Sequence, residues 1–353
     1  MAEGDAMRND TQLKFVNQGS TLSLIRSYQE ARNVFAISLS LNLLLIVLGI
    51  IVNAIICYVM LRGKRYKRNS SNLFITHLSV VELVHRLLIF PILIYFAIPA
   101  SGNQSFQCKV VSFFSHVSAS AIFVSLVAIA ADRYQKIVHP LANLKSNRKP
   151  SLLLIVVWVY ATVVSIPTVF SVKAVPVSET PEAKGMTCDA DCAGKKLCDI
   201  PQNSLGRFST TLYFLLAFVI QLVVIFIFYT KIAIFLHNRG KNGMMHKVAV
   251  RSTSKAIRML IITVLGYMIS LGPRVVVAVL RSYGIFNGTS FAAMFLFHAL
   301  VDFASYSSSI GNPLIYSYYN GDFRKEIVRV CRRKKDKKIA SYAVTFVNCN
   351  TNN

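Results

Sequence analysis

The sequence predicts an all-α membrane protein, a bundle of seven transmembrane helices, and three observations support this fold class. Hydrophobic residues make up 54% of the 353 residues and charged residues only 15%, whereas soluble domains carry about 25% charged residues. The apolar residues form runs of the roughly 20 residues that a helix needs to cross a bilayer. No segment alternates like a ~10-residue barrel strand. These features exclude a soluble enzyme, a disordered chain and a disulfide-stapled miniprotein.

Seven segments are long and apolar enough to cross the membrane, several of them interrupted by charge. Each is interpreted as a helix, because only helices and closed barrels satisfy their backbone groups in lipid. The second segment contains Glu82 and Arg86, the sixth contains Arg274, and the seventh contains His298 and Asp302. The predicted spans are 34–61, 73–99, 109–134, 151–172, 208–236, 256–280 and 291–319.

Basic residues predict how the chain is oriented. The net charge is +24, and Lys and Arg concentrate after spans one, three and five and in the C-terminal tail. The positive-inside rule therefore places the C-terminus in the cytoplasm and the N-terminus outside, as seven spans require. The basic residues form no stripe with interleaved aromatic residues, so no nucleic-acid binding is expected. We expect an extracellular tail (1–33), a transmembrane domain (34–320) and a cytoplasmic tail (321–353).

The outer loops carry glycosylation sequons. Residues 1–33 lack the apolar core of a secretory signal peptide, so the first span is expected to direct insertion. Three sequons lie on the predicted outer side, at Asn9, Asn103 and Asn287. A fourth, at Asn69, faces the cytoplasm and is expected to stay unmodified.

Four of the seven cysteines lie on the predicted outer, oxidising side: Cys108, Cys188, Cys192 and Cys198. Four cysteines allow three pairings. Because Cys188 and Cys192 can close a small loop, a Cys108–Cys198 disulfide is the preferred prediction, and Cys108–Cys188 is the competing one. No histidine accompanies these cysteines, so no zinc site is expected. Cys331 follows a basic amphipathic stretch and is a palmitoylation candidate, with a free thiol as the alternative.

Two motifs near the inner ends of spans three and seven carry a family resemblance. A proline in the middle of span seven removes a backbone hydrogen bond and bends the helix. Together with the seven spans, these motifs resemble those of class A (rhodopsin-like) G-protein-coupled receptors. Within that class, the chain is most similar in character to the peptide receptors. The resemblance covers about residues 34–331. The motif residues are Asp132, Arg133, Tyr134, Pro140, Leu141, Asn312, Pro313 and Tyr316.

The resemblance implies a plasma-membrane receptor in which an extracellular ligand shifts the bundle between two packings and a heterotrimeric G protein binds the inner end. It implies that Arg133 is held by Asp132 at rest and turns toward Tyr229 and Tyr316 in the active state. The residues expected to contact the G protein are Arg133, Pro140 and Leu141.

The resemblance also implies a short amphipathic eighth helix. Phe323 would anchor this helix, and its basic face suits the anionic lipids of the inner leaflet. The sequence holds no His-Glu-x-x-His motif, no glycine-rich phosphate loop and no matched Ser/His/Asp set. Neither an enzyme activity nor a cofactor is therefore expected.

Span two departs from the family pattern. Glu82 stands where the family usually has a sodium-binding aspartate, and its usual polar partner in span three is Ile122 here. Arg86 follows four residues later on the same helix face. Since a lone charge in the membrane is costly, Arg86 is predicted to supply the charge that sodium supplies elsewhere. The alternative is a protonated Glu82, with Arg86 snorkelling or lining a wet cavity.

Spans five and six depart as well. Gln221 replaces a common proline, which predicts less distortion of span five. Leu271 replaces the aromatic residue that usually precedes the proline equivalent to Pro273, so the activation trigger must differ in detail. Thr253 replaces the acid that often ties Arg133 to span six. Without that tie, measurable basal signalling is predicted.

Residues in the outer half of the predicted helix bundle indicate the class of ligand. Ser115 stands where amine receptors carry aspartate, and Tyr306 where opsins carry the retinal lysine, which argues against an amine receptor and a photopigment. Arg274 and Asp302 either pair structurally or meet a ligand's carboxylate and amine. Under the cysteine-bearing loop a peptide fits best, and a small acidic lipid or metabolite is second. The predicted pocket residues are Ser115, His116, Arg274, His298 and Asp302.

Two other functional classes are alternatives. A receptor-like scaffold or decoy would trap ligand without activating a G protein, but the intact motifs of spans three and seven argue against it. A transporter or channel would use Glu82, Arg86 and Asp302 as an ion path, but the sequence lacks the broken helices typical of many transporters.

Overall fold

A computed structural model shows seven long helices. It describes residues 36–329, apart from 63, 68–69, 93–99, 102–104, 141–149, 177–194, 242–246, 288, 290, 320–322 and 326. The helices are α1 (Ala36–Arg62), α2 (70–92), α3 (Ser105–Val138), α4 (Pro150–Ser171), α5 (Ser204–Lys241), α6 (Lys247–Ser282) and α7 (Phe291–Tyr319). In the described part, α1 to α6 are long and apolar enough to span a membrane. The 29 residues of α7 extend over about 43 Å, which exceeds the hydrocarbon thickness.

Some predicted positions lie outside the described residues: Asn9, Asn103, Leu141, Cys188, Cys192 and Cys331. Within the described part, the predicted fold class is confirmed. Helices α5 and α6 extend beyond the predicted spans at both ends. Helix α5 begins at Ser204 because the side chain of Asn203 accepts a hydrogen bond from the Gly206 amide at 2.8 Å and caps the helix.

Helix α3 lies at the centre of the bundle. Residues 120–126 are all buried, and small side chains such as Ser120 and Ala121 let the neighbouring helices approach closely. The hydroxyl of Ser125 donates to the Ala121 carbonyl at 2.6 Å, so its polar group is satisfied within the apolar core. In contrast, α4 exposes Ile155 and Val159, which suits a helix that faces lipid.

Two helices contain a π-helical turn, at His85–Ile89 in α2 and at Leu215–Val219 in α5. The expectation of less distortion in span five, drawn from Gln221, is therefore wrong. The side-chain amide of Gln221 donates to the Leu216 carbonyl at 3.0 Å, and the Tyr160 hydroxyl donates to the same oxygen at 2.9 Å. These side chains satisfy a carbonyl in the wide turn, so the distortion does not need a proline.

A small antiparallel sheet covers part of the outer side, which the sequence analysis did not predict. Its strands are β1 (Ala100–Ser101), β2 (Lys173–Pro176) and β3 (Lys195–Asp199), in the order β1-β3-β2. Ala174 pairs with Cys198 across β2 and β3. The Cys108–Cys198 disulfide then fixes β3 to the outer end of α3, so the preferred pairing is confirmed and the competing one is wrong.

The inner side contains the predicted anchor of the eighth helix. Residues 323–325 and 327–329 are helical, with only residue 326 between them outside the described part. Phe323 is buried against Ile56, Val59 and Met60 of α1. An aromatic side chain therefore ties the segment after α7 back to the bundle.

Candidate functional site

A cavity of about 270 Å³ lies in the outer half of the bundle, among α3, α5 and α6. The end of β3 continues into Ile200, whose side chain also lines this cavity. The polar residues of its wall are Ser112, Ser115, His116, Thr210, Tyr213 and Arg274. Three predicted pocket residues, Ser115, His116 and Arg274, are therefore brought together.

The sequence analysis missed Ser112, Thr210 and Tyr213 as cavity residues. One signal could have revealed the α3 wall, because positions 112, 115, 116 and 119 have the i, i+3, i+4, i+7 spacing of one helix face. Thr210 and Tyr213 carry no charge and lie in a predominantly apolar span, so no charge in the sequence distinguishes them.

The polar groups of the α3 wall are held in defined orientations. Nδ1 of His116 lies 2.6 Å from the Ser112 carbonyl oxygen, and the ring packs edge-to-face on Tyr213 with centroids 4.7 Å apart. A carbonyl only accepts, so Nδ1 carries the proton and Nε2 of the neutral ring is an acceptor. The hydroxyl of Tyr213 donates to the His116 carbonyl at 2.9 Å, which fixes α5 against α3.

An ion pair lies beside the cavity. Nη1 of Arg274 is 3.0 Å from Oδ1 of Asp302, and 48% and 40% of the two side chains are exposed. The Arg274–Asp302 ion pair, one of the two alternatives of the sequence analysis, is therefore formed. Both side chains nevertheless remain partly exposed. Exposed pairs contribute only about 0–1 kcal/mol, so a charged ligand group could exchange with either partner at small cost. Arg274 lines the cavity directly.

His298 does not join the residues that line the cavity. It lies on α7 one turn before Asp302, and its ring packs against Phe297 with centroids 6.3 Å apart. His298 was predicted to line the pocket only because it is a polar residue in the outer half of a span. In the structure its ring contacts an aromatic side chain.

The outer end of α6 is tied to the segment that follows the disulfide. Oδ2 of Asp199 lies 2.9 Å from Nη2 of Arg281, and Gln202 donates to the Arg281 carbonyl at 3.1 Å. The amides of Gln202 and Asn287 also exchange two hydrogen bonds, of 3.0 and 3.1 Å. Because Cys198 is bonded to Cys108 of α3, β3 bridges α3 and α6 above the cavity.

A second ion pair is buried deeper in the bundle. Oε2 of Glu82 lies 3.2 Å from Nη2 of Arg86, and at most 5% of either side chain is exposed. The guanidinium of Arg86 also lies over the ring of Tyr306, 5.6 Å from its centroid. Arg86 is buried rather than snorkelling, it does not line the outer cavity, and its guanidinium lies within ion-pair distance of Glu82. Nearby, Asn53 donates to the Ser309 carbonyl at 3.0 Å and links α1 to α7.

The inner end of α3 carries the predicted switch. Oδ2 of Asp132 lies 3.6 Å from Nη2 of Arg133 and 3.3 Å from Nζ of Lys136, a second cation that the sequence analysis missed. The hydroxyl of Tyr229 is buried and has no hydrogen-bond partner in the described part of the chain. Tyr134 packs against Phe228, with ring centroids 5.4 Å apart.

Span seven contributes its predicted proline. Pro313 is buried inside α7, and Pro140 is exposed just beyond α3. Asn312 and Tyr316 belong to α7, but their side chains lie outside the described part of the structure. No group of three or more His, Cys, Asp or Glu residues that could hold a metal ion occurs among the described residues.

Comparison with known proteins connects these features. The sequence profile of the 7 transmembrane receptor (rhodopsin family) matches residues 52–316. The human galanin receptor type 1 is 27% identical over 303 residues, which cover 84% of this chain and 82% of that protein. The rat neuropeptide FF receptor 1 is 25% identical over 322 residues, 88% of this chain and 73% of that protein. The human neuropeptide FF receptor 1 is 24% identical over 340 residues, 92% of this chain and 78% of that protein.

Proposed function

Because the chain belongs to the rhodopsin family of seven-transmembrane receptors, we propose that it binds a peptide outside the plasma membrane and activates a heterotrimeric G protein inside the cell. Its N-terminus would be extracellular and its C-terminus cytoplasmic. The relatives named as galanin and neuropeptide FF receptors support a peptide, and they match most of this chain.

The observation that carries this proposal is the half-exposed Arg274–Asp302 pair beside the outer cavity. The pair offers one charge of each sign, so it suits a ligand that carries both an amine and a carboxylate. At about 270 Å³, the cavity is smaller than many ligand pockets. It would therefore hold the end of a peptide, while the rest lies against the outer loops and the sheet.

The inner half supports the signalling part of the proposal. Nη2 of Arg133 lies 3.6 Å from Oδ2 of Asp132, an ion-pair distance that is compatible with the proposed resting state. On activation, Arg133 would leave Asp132 and turn toward Tyr229 and Tyr316. Asn312 and Pro313 would allow α7 to bend, and the residues that contact the G protein would be Arg133, Pro140 and Leu141. A ligand drives this change only through its higher affinity for the active packing.

A screen of ligands on cells that express the chain tests the proposal. The cells receive galanin, neuropeptide FF, a wider peptide panel and a panel of acidic lipids and metabolites, and G-protein dissociation is recorded for several G-protein classes. An Arg133→Ala variant is the matched control, since its outer cavity is intact. Peptide-driven dissociation that this variant lacks is the expected result.

Other outcomes of the screen identify the alternatives. The small cavity and its single arginine also suit a small acidic lipid or metabolite, and a response confined to that panel would establish this second function. Peptide binding without activation of any G-protein class would establish a decoy. Antibody staining of an N-terminal tag on intact cells tests the orientation, and staining only after permeabilisation would contradict it.

We propose modifications on both sides of the membrane. Asn9, Asn103 and Asn287 would carry glycans, and Cys331 would be palmitoylated. The side chain of Asn287 is exposed but already hydrogen-bonded to Gln202. Removal of N-linked glycans should therefore shift the mobility of the chain, and Asn→Gln variants assign the sites. Release of a lipid label by hydroxylamine, lost in Cys331→Ser, tests palmitoylation.

A further inference from the structure

Tyr306 lies between the two ion pairs of the bundle. It is on α7, one turn after Asp302, and only 9% of it is exposed. The carboxylate of Asp302 lies 3.0 Å from the guanidinium of Arg274, which places the Tyr306 phenol, one turn further along the helix, beside this cation of the outer cavity. The guanidinium of Arg86, the cation of the buried pair, lies over its ring at 5.6 Å. One side chain therefore contacts a cation that faces the cavity and a cation that does not.

The ring of Tyr306 matters to Arg86 because this arginine is incompletely hydrogen-bonded. Only 4% of Arg86 is exposed, and it has one carboxylate neighbour, Glu82 at 3.2 Å. Its Nε and Nη1 atoms have no hydrogen-bond partner among the described residues. A desolvated cation with spare donors is stabilised by an aromatic face.

The orientation of this ring is fixed by a neighbour in α2. Phe90 packs edge-to-face on Tyr306, with centroids 5.2 Å apart and an interplanar angle of 81°. Phe90 and Arg86 are both in α2 and lie one turn apart. A movement of Tyr306 would consequently disturb two contacts between α2 and α7 at once.

We propose that Tyr306 is a positioning residue that couples the outer cavity to the buried Glu82–Arg86 pair. A ligand group that takes Arg274 away from Asp302 withdraws the guanidinium that lies beside the Tyr306 hydroxyl. The ring then leaves Arg86, and α2 and α7 repack around a cation that has lost its aromatic face. This inference rests on the proposed function for the role of the ligand, but the coupling itself is a property of the folded chain.

Melting temperatures of the purified full-length protein in detergent test the coupling without any ligand. Unfolding is followed with a thiol-reactive dye in a Cys331→Ser, Cys349→Ser background, so that the dye reports exposure of the buried Cys57. Tyr306→Leu should lower the melting temperature of the parent chain by clearly more than it does in an Arg86→Met background, where only the packing on Phe90 is lost. Tyr306→Phe, which keeps the ring, should remain coupled to Arg86. Phe303→Leu, on the exposed face of α7, is the control.

Basal G-protein activation in cells tests transmission from the cavity. Asp302→Asn releases Arg274 and should raise basal activation by up to about 5-fold, because the half-exposed ion pair that it removes stabilises the resting packing only weakly. The same substitution should have no effect in a Tyr306→Phe background, where the hydroxyl is missing. Surface staining of a tagged chain normalises each variant for expression.

The outcomes separate this inference from the proposed function. Additive losses of melting temperature for Tyr306→Leu and Arg86→Met would overturn the coupling, even if peptides activate the receptor. An equal effect of Asp302→Asn with and without the Tyr306 hydroxyl would overturn the transmission. Coupled melting temperatures without any G-protein response would support the coupling and contradict the proposed function.

Discussion

The buried Glu82–Arg86 pair allows a quantitative test, because its two members can be neutralised separately or together. Arg86→Met removes the cation and leaves the carboxylate of Glu82 uncompensated at its buried position. Glu82→Gln combined with Arg86→Met removes both charges and keeps similar side-chain volumes. We expect the single variant to be much less stable than the double variant.

The magnitude follows from the burial of the pair. Loss of one partner from a buried ion pair costs about 3–5 kcal/mol, whereas replacing both partners by neutral groups is often neutral or stabilising. An unfolding entropy of about 2.1 cal/mol/K per residue gives about 0.7 kcal/mol/K for 353 residues. Arg86→Met should therefore lower the melting temperature by about 4–7 K. The double variant should lie within about 2 K of the parent protein.

Sodium provides the second part of the assay. In the parent protein Nη2 of Arg86 lies 3.2 Å from Oε2 of Glu82, so replacing about 0.15 M sodium by choline should change neither the melting temperature nor ligand affinity. In Arg86→Met the bare carboxylate should accept sodium, which then raises the melting temperature. Equal melting temperatures for the single and double variants, or strong sodium dependence of the parent protein, would refute the reasoning.

Three further predictions concern the two ends of the bundle. Arg274→Ala should abolish ligand activation without lowering surface expression, and a loss of expression would instead indicate a structural role. Cys108→Ser and Cys198→Ser should each lower the free energy of unfolding by up to about 4–5 kcal/mol, since the disulfide spans 90 residues. In thermal unfolding, the double variant should be no less stable than either single variant. The parent chain should show basal signalling that Thr253→Glu lowers in a ligand-free reporter assay, and equal signals would contradict this.

Much of the fold could be predicted because membrane insertion leaves a strong signal in the sequence. Long apolar runs located every span, but hydropathy missed the charged helical turns that extend beyond the hydrocarbon layer. Helix α5 continues to Lys241 and α6 begins at Lys247 for this reason. The π-helical turn of α5 escaped prediction because side-chain donors such as Gln221 replace the proline that usually marks a distortion.

The sequence predicted those residues of the candidate site that carry a charge within a membrane span. Arg274 and Glu82 stand out because an ionisable residue within a span is costly and needs a partner. The tie between Asp199 and Arg281 could not be predicted, since the two residues are 82 positions apart and meet only through the folded outer loop. The role of Tyr306 was hidden for a similar reason, because both cations near its ring belong to other helices.

The wide turn of α2 changes the angular phase of the residues that follow it. A π-helical turn holds one residue more than an α-helical turn, so the residues beyond His85–Ile89 are rotated by about 100° relative to a regular helix. Phe90, the first residue after this turn, packs against Tyr306 of α7. Alignment of α2 with a regular helix consequently requires a one-residue gap, and an ungapped alignment would assign the outer half of this span to the wrong face.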